Sequence, residues 1–380
     1  MLTRTRTFAV ATLATAAMLA ACAAQKTPIN PNEIVIGVAG PMTGDLAVFG
    51  EQERRGAEMA VKDINAKGGV LGKTLRLAIG DDQCDPAKAV RAANALVNQG
   101  AVFVDGHFCS GSSIPASAVY AEAGVLQITP SSTNPALTDD AAAKGIKTVM
   151  RVGNRDDQQG VFAGRWLAKA YAGRKLAVLD DGSAYGRGVA DRTASVATGA
   201  GLSPALRASF PGRSKDFQSV IGKLQAAGID VVYVGAYHDE VAPLMRQART
   251  QGLKAEFVSV DAMNTGEFWS LAGPAGEGLR FSDAPSLIGR PSAEEAVARF
   301  RRDHYEPEGY TLNAYAAVQA FAAAASATGS TDGRKLGEWL RNNQVPTVMG
   351  TLAWDAKGDL VQQNFTWYVW KDGTYTEAPE

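Results

Sequence analysis

The chain has 380 residues, 46% hydrophobic and 20% charged, an ordinary globular balance. It exceeds the length at which a single core stops growing, so two domains are expected. A formal charge of −1 and a pI near 6.4 leave no basic footprint for nucleic acid, and losing residues 1–21, which hold Arg4, Arg6 and no acid, would take the charge to −3, a poor match for an anionic membrane surface.

At the N-terminus, Arg4 and Arg6 precede an Ala-rich apolar run from Phe8 to Ala21, too short to span a bilayer as a transmembrane helix. It ends in Leu19-Ala20-Ala21-Cys22, which resembles a bacterial lipobox. That reading makes residues 1–21 a lipoprotein signal peptide, Cys22 the lipidated residue and residues 22–32 a tether. A plain secretory signal with an unrelated Cys is the alternative. With Cys22 set aside, Cys84 and Cys109 remain. Both follow predicted strand ends at one edge of a sheet, and export permits oxidation. A Cys84–Cys109 disulfide is expected, with two buried thiols as the alternative. His107 and Asp85 have no regular ligand spacing, so no metal site is expected.

The body opens with Glu33 to Val38 (EIVIGV), a buried strand, followed by a turn at Gly40-Pro41-Met42-Thr43-Gly44. From about Gly50 to Ala66, Ala57, Ala60, Val61 and Ile64 recur at helical spacing, and Glu51-Gln52-Glu53-Arg54-Arg55 reads as a solvated helix face. Leu75 to Ile79 is a second strand, and Pro86 to Gln99 a helix with Pro in its first turn and Gly100 at its end. The stretch from Val102 to Thr133 then repeats strand, hydroxyl-rich turn and helix. Val102-Phe103-Val104 leads to Cys109-Ser110-Gly111-Ser112-Ser113, and Val125 to Ile128 leads to Ser131-Ser132-Thr133. A parallel sheet gathers such turns at the carboxyl ends of its strands, where ligands bind. Helix N-termini there present free N–H groups and partial positive charge, so a carboxylate site is expected. Ser and Thr are also ordinary N-caps, which is the bland reading of each cluster alone.

Met150-Arg151-Val152 reads as a crossing into a second domain, where the strand–helix rhythm restarts. Val161 to Tyr171, Tyr185 to Ala197, Phe217 to Ala227 and Glu240 to Gln251 are expected helices. Lys175 to Leu179, Val231 to Val234 and Glu256 to Val260 are expected strands, with Ala236-Tyr237-His238 a turn. Asp181, Tyr185, Tyr237 and Asp261 thus form this half's own strand-end row. Helices over Ala293 to His304 and Ala314 to Thr328 follow, then late strands over Val345 to Trp354 and Phe365 to Trp370, which implies that the chain crosses back. His107 and His238 read as turn hydrogen-bonders. Asp81-Asp82 and Asp180-Asp181 read as caps rather than metal or acid–base groups. The pattern is α/β: two doubly wound parallel-sheet lobes joined by a multi-crossover hinge, placed near Val152, Ser282 and Leu360. An enzyme on such a fold would need a nucleophile–base set or a cofactor loop. The sequence has no G-x-G-x-x-G after the first strand, no Walker A loop and no G-x-S-x-G elbow.

Nine segments, in order, carry a family resemblance: IVIGVAGPMTGDLAVFGEQERRGAEMAVKDINAKGGVLG, DDQCDPAKAV, GHFCSGSSIPAS, ITPSSTNPALT, DDGSAYGRG, KDFQSVI, VYVGAYHDE, RQART and TVMGTLAWDAKGDL. The chain resembles the extracytoplasmic solute-binding proteins of branched-chain amino acid ABC importers, the Leu/Ile/Val-binding type with the type I periplasmic-binding fold. The resemblance implies lobes of residues 33–152 plus 283–360 and 153–282 plus 361–380, with no enzyme activity and no cofactor. It further implies a periplasmic, monomeric protein, an amino-acid ligand and an ABC permease partner in the inner membrane. By the same resemblance, Ser110 and the Ser131, Ser132, Thr133 turn hold the ligand α-carboxylate. That turn and Asp261 hold the ammonium, and Phe49, Tyr185, Tyr237 and Tyr310 form aromatic walls. The Cys pair matches the family disulfide. Asp261 stands where a Glu is common, Phe49 where a Tyr is, and Ser131 and Ser132 where Ala occurs, which predicts a more polar pocket floor. A ligand-sensing lipoprotein of the same fold, or a binder of an amide or aromatic carboxylate, is the alternative.

Overall fold

The structure, a computed structural model, describes residues 30–379. The signal peptide, Cys22 and most of the tether lie outside these residues. Two main sheets organise the chain. The first has the order β2-β1-β3-β4-β5, from Thr74–Asp81, Glu33–Gly40, Phe103–Gly106, Leu126–Thr129 and Val149–Arg151, and every pairing in it is parallel. Strands buried on both faces read as unbroken apolar runs, which is why IVIGVA and VFV announce themselves. Between them run α1 (Ala47–Ala66), α2 (Pro86–Asn98), α3 (Ser110–Ala123) and α4 (Ala136–Ala143).

The chain then passes to a seven-stranded sheet. Its parallel part, in spatial order, is β7 (Leu206–Ser209), β6 (Leu176–Asp180), β8 (Val231–Gly235), β9 (Glu256–Ser259) and β10 (Arg280–Asp283). α5 (Asp156–Ala170), α6 (Ala184–Gly199), α7 (Gln218–Ala227), α8 (His238–Thr250) and α9 (Gly266–Ala272) alternate with these strands. Helices α10 (Glu294–Arg302), α11 (Thr311–Thr328) and α12 (Gly333–Asn342) return to the first sheet, whose core they share. The chain finally re-enters the second sheet as the hairpin β13 (Thr366–Lys371) and β14 (Thr374–Ala378), β13 running antiparallel to β10. It therefore passes between the two layers three times, and the second sheet is not wholly parallel as expected. Val345 to Trp354 is likewise a small hairpin, β11 (Val345–Thr347) with β12 (Gly350–Leu352), not one strand.

Helix α1 corrects the solvated-face expectation. Glu51, Arg54 and Arg55 are partly exposed and paired on its outer side, but Gln52 and Glu53 are buried. At about 100° per residue they share the inward face with Phe49 and Gly56. Gly56 is the contact point with α11, where a Cβ would run into the Thr311 carbonyl, so only glycine allows this approach.

Both sheets reverse direction in their strand order, between β1 and β3 in the first and between β6 and β8 in the second. A crevice opens at each such switch point, outside the carboxyl ends of the strands. The loops leaving β1, β3, β4, β6, β8 and β9 supply the residues described next.

Candidate functional site

On the first lobe, the loop after β3 and the start of α3 are tied down before any ligand is considered. Cys84, in the loop after β2, and Cys109 form the expected disulfide with Cα atoms 5.6 Å apart. His107 is a structural hydrogen-bonder, Nδ1 lying 2.5 Å from Asp82 and Nε2 2.9 Å from Tyr120 Oη. Ser110 opens α3, where the first N–H groups have no intrahelical acceptor. Its Oγ accepts from the Asn134 N–H at 3.2 Å.

The Ser131-Ser132-Thr133 turn after β4 sits against this helix start. The Thr129 hydroxyl accepts from the Ser132 N–H at 2.9 Å. Ser132 Oγ lies 2.7 Å from Ser113 Oγ, and Ser131 Oγ donates to Glu53 Oε1 at 2.7 Å. Both serine hydroxyls therefore face inward, and the expected polar floor is not formed by them. Glu53, raised well above the usual carboxylate range by burial, takes the Ser131 hydroxyl as a partner that an Ala at 131 could not supply. Thr133 Oγ1, by contrast, is buried without a partner among the described residues. Behind the turn lies Arg151, fully buried, its guanidinium donating to the Ser132 and Asn134 carbonyls at 2.6 and 2.9 Å and to Asp359 at 2.7 Å. It fixes the turn through its carbonyls, while the Ser132 and Asn134 N–H groups are held by the Thr129 and Ser110 hydroxyls.

The second lobe supplies the opposite charge. Asp261, just after β9, accepts from Tyr185 Oη at 2.7 Å and from Tyr310 Oη at 2.5 Å. Burial raises its carboxyl above the ordinary value, and the two hydroxyls pull it partly back. Asp156, at the start of α5, is buried with neither carboxylate oxygen hydrogen-bonded, and burial pushes it up strongly. An ionised carboxylate can accept about four hydrogen bonds, so Asp261 retains capacity after its two tyrosines.

Aromatic rings close the space between the poles. Phe49 stacks on Phe108 at 4.3 Å. Tyr310 meets Phe108 edge-on at 5.4 Å, and Tyr237 lies 5.0 Å from Tyr185 and 6.0 Å from Phe108. Tyr237 precedes α8 directly, because the helix begins at His238 rather than after a turn. His238 is buried beside Phe49 and within 3.1 Å of Glu267. The two lobes are in contact: Asn134 Nδ2 donates to the Ala184 carbonyl at 2.7 Å, and Arg213 donates to the Gln83 carbonyl at 2.6 Å. Cavities flank the rings. One of about 530 Å3 reaches Thr133, Asp261, Asp283 and Tyr310, and one of about 510 Å3 reaches Leu46, Cys109 and Tyr237.

The structure thus brings Phe49, Ser110, Thr133, Tyr185, Tyr237, Asp261 and Tyr310 to one interlobe cleft, with Ser131 and Ser132 as its inner support. Sequence reasoning passed over Phe108, Glu53, Arg151 and Asp156. Phe108 had a signal, lying inside GHFCSGSS, and so had Arg151, a lone cation between Met150 and Val152. Among the described residues no group of three or more His, Cys, Asp or Glu could hold a metal, and no helix is long and apolar enough to cross a membrane.

The chain is 45% identical over 353 residues to an amino acid binding protein of Pseudomonas aeruginosa, covering 91% of this chain and 93% of that one. It is 40% identical over 347 residues to the leucine-, isoleucine-, valine-, threonine- and alanine-binding protein of the same organism, covering 91% and 92%. A substrate-binding protein of an ABC transporter from Desulfitobacterium hafniense, solved in complex with Leu, superposes with a TM-score of 0.73 at 28% identity, over 91% of this chain and 100% of that one. The periplasmic binding protein model matches residues 33–374, so the chain belongs to that family of extracytoplasmic, non-enzymatic solute-binding proteins.

Proposed function

We propose that the protein captures a free α-amino acid, foremost one with a branched apolar side chain, between its lobes and presents the closed form to an ABC permease. The observation that carries this is the polarity of the cleft. One wall offers the α3 N–H groups, Thr133 Oγ1 and the turn held by Arg151; the facing wall offers Asp261. A zwitterionic amino acid carries an anion and a cation on one carbon and bridges the two. Fixed N–H groups hold a carboxylate without a counter-charge, and Asp261 gives the ammonium a charge-assisted bond. The apolar side chain then lies on Phe49, Phe108, Tyr237 and Tyr310, as in most small-molecule clefts. The names of the Pseudomonas relatives support this ligand class.

In this reading residues 33–152 with 283–360 form one lobe and 153–282 with 361–380 the other. The ligand stabilises the closed state because its two charged groups touch different lobes. The protein acts as a monomer held to the membrane through lipid on Cys22. The test is a thermal-shift and calorimetric screen of refolded residues 23–380 against all amino acids, small amides and aromatic acids. Leucine, isoleucine or valine at a hundredfold its Kd is expected to add about 2.7 kcal/mol of stability. A response only to carboxylates lacking an amine would sink the amino-acid assignment.

A further inference from the structure

Between β7 and α7 the second lobe sends out a short loop, Pro211 to Asp216. Its two ends are pinned. Phe210 and Phe217 are buried and meet edge-on at 5.2 Å. Gln247 of α8 brackets the base, accepting from the Phe217 N–H at 2.9 Å and donating to the Lys215 carbonyl at 2.8 Å. Arg213, left-handed at φ +63°, gives its N–H to Glu240 Oε1, and Glu240 shares a hydrogen bond with Asp181. A backbone held this way loses little further freedom when its side chains find partners.

Both long side chains of the loop cross to the first lobe. Arg213 Nη2 donates to the Gln83 carbonyl at 2.6 Å, and Lys215 Nζ reaches Asp45 at 3.0 Å while keeping Asp239 of its own lobe at 3.5 Å. The receiving end is fixed as well. Gln83 and Cys84 are left-handed, at φ +49° and +56°, and their N–H groups are held by Asp81 and Asp82 at 3.1 and 2.7 Å. Cys84 is bonded to Cys109, and the next residue, Ser110, opens α3. The carbonyl that Arg213 grips is therefore joined through one residue and a disulfide to the helix start assigned to the ligand carboxylate.

We propose that Arg213 and Lys215 set ligand affinity without touching the ligand, as a strap that forms only when the lobes close. The inference rests on the closing-cleft reading above and deepens it. Each contact joins loops of different lobes, so opening separates the partners, and their free energy favours the closed state whatever ligand lies inside. Apparent affinity scales with the population of the binding-competent state. The strap thus strengthens every ligand by one factor and acts on escape rather than entry. Arg213 and Lys215 are both exposed, so the factor is modest and the ionic part of it is screened by salt.

Titration calorimetry and stopped-flow fluorescence of refolded residues 23–380 with leucine, isoleucine and valine read this. Arg213→Ala combined with Lys215→Ala is expected to weaken all three by a common factor of about five, carried by faster dissociation, and to remove most of the salt dependence of the wild-type affinity. Arg213→Lys, which keeps a cationic donor, is expected to lie closer to wild type than Arg213→Ala. The ligand-free double variant is expected to melt with the wild type, since each lobe keeps its own core, and to be more open by small-angle scattering. Unchanged affinity, a loss for one ligand alone, a loss carried by association, or a lower melting point overturns the strap and leaves the amino-acid reading standing. If no amino acid binds the wild-type protein, that reading falls, and equal ligand-free scattering from wild type and double variant then overturns the strap by itself.

Discussion

Replacing Asp261 by Asn separates what this residue does for the ligand from what it does for the fold. Asparagine keeps the shape and one carbonyl oxygen, so one of the hydroxyls of Tyr185 and Tyr310, at 2.7 and 2.5 Å, keeps a strong acceptor. What goes is the charge opposite the ligand ammonium. A hydrogen bond to a charged group contributes about 1.5–3 kcal/mol, and stranding one member of a buried pair costs about 3–5 kcal/mol. Asp156, buried nearby, and the tyrosine hydroxyls still face the cation, so the lower part of that span applies. About 2–3 kcal/mol corresponds to roughly 30- to 150-fold weaker leucine binding. Stability moves the other way. A carboxyl held above its ordinary pKa in the fold binds more protons folded than unfolded. It stabilises fully below the unfolded pKa, and that contribution is lost as pH rises through the folded value. Asparagine removes the cost of burying the ionised group, so the ligand-free variant should melt higher at neutral pH and differ less from wild type in acid. Titration and scanning calorimetry on the same preparation read both. Leucine affinity within threefold of wild type, or a lower melting point at neutral pH, would refute the assignment of Asp261 as a buried cation receptor.

Arg151→Met takes one of two arginines from Asp359, which keeps Arg155 at 2.5 Å, and strands the Ser132 and Asn134 carbonyls; urea denaturation should show a loss of about 1–3 kcal/mol. Reducing Cys84–Cys109, whose cysteines are 25 residues apart, should cost on the order of 3 kcal/mol by the chain-entropy relation. The same denaturation series with and without reductant measures it.

The parallel cores were legible because β1, β3, β6 and β8 are apolar on both faces and end at Asp, Gly or hydroxyl residues. β7 was not: Leu206–Ser209 is an edge strand with alternate residues exposed and no apolar run. α12 begins at Gly333 with charged residues and shows itself only through its Asp332 cap and the one-turn spacing of Leu336 and Leu340. At the site, strand-end position could be read from the sequence, but side-chain direction could not. Glu53 is tolerated on the inward face of α1 with Ser131, 78 residues away, as its partner. That same contact turns the Ser131 hydroxyl away from the cleft. Phe108 became visible as a wall only once Phe49 lay 4.3 Å from it. Each of these depends on pairs far apart in the chain, which local periodicity does not encode.

Three passages of chain between the sheets do more than connect them. A single linker would let one half twist and slide on the other, whereas three passages restrict the soft motion toward rotation about the line they define. Displacement then grows with distance from that line. The Asp261–Tyr310 bond, beside the cavity lined by Val152 and Leu360, sits near the axis. The Lys215–Asp45 and Arg213–Gln83 contacts sit at the far rim. In the proposed closure the protein would work as a lever: a short movement at the fulcrum end carries the rim, where a docked partner would touch both halves, farther. The exposed Lys215–Asp45 pair at the rim is worth at most about 1 kcal/mol, so it would not hold the arm shut once the ligand leaves.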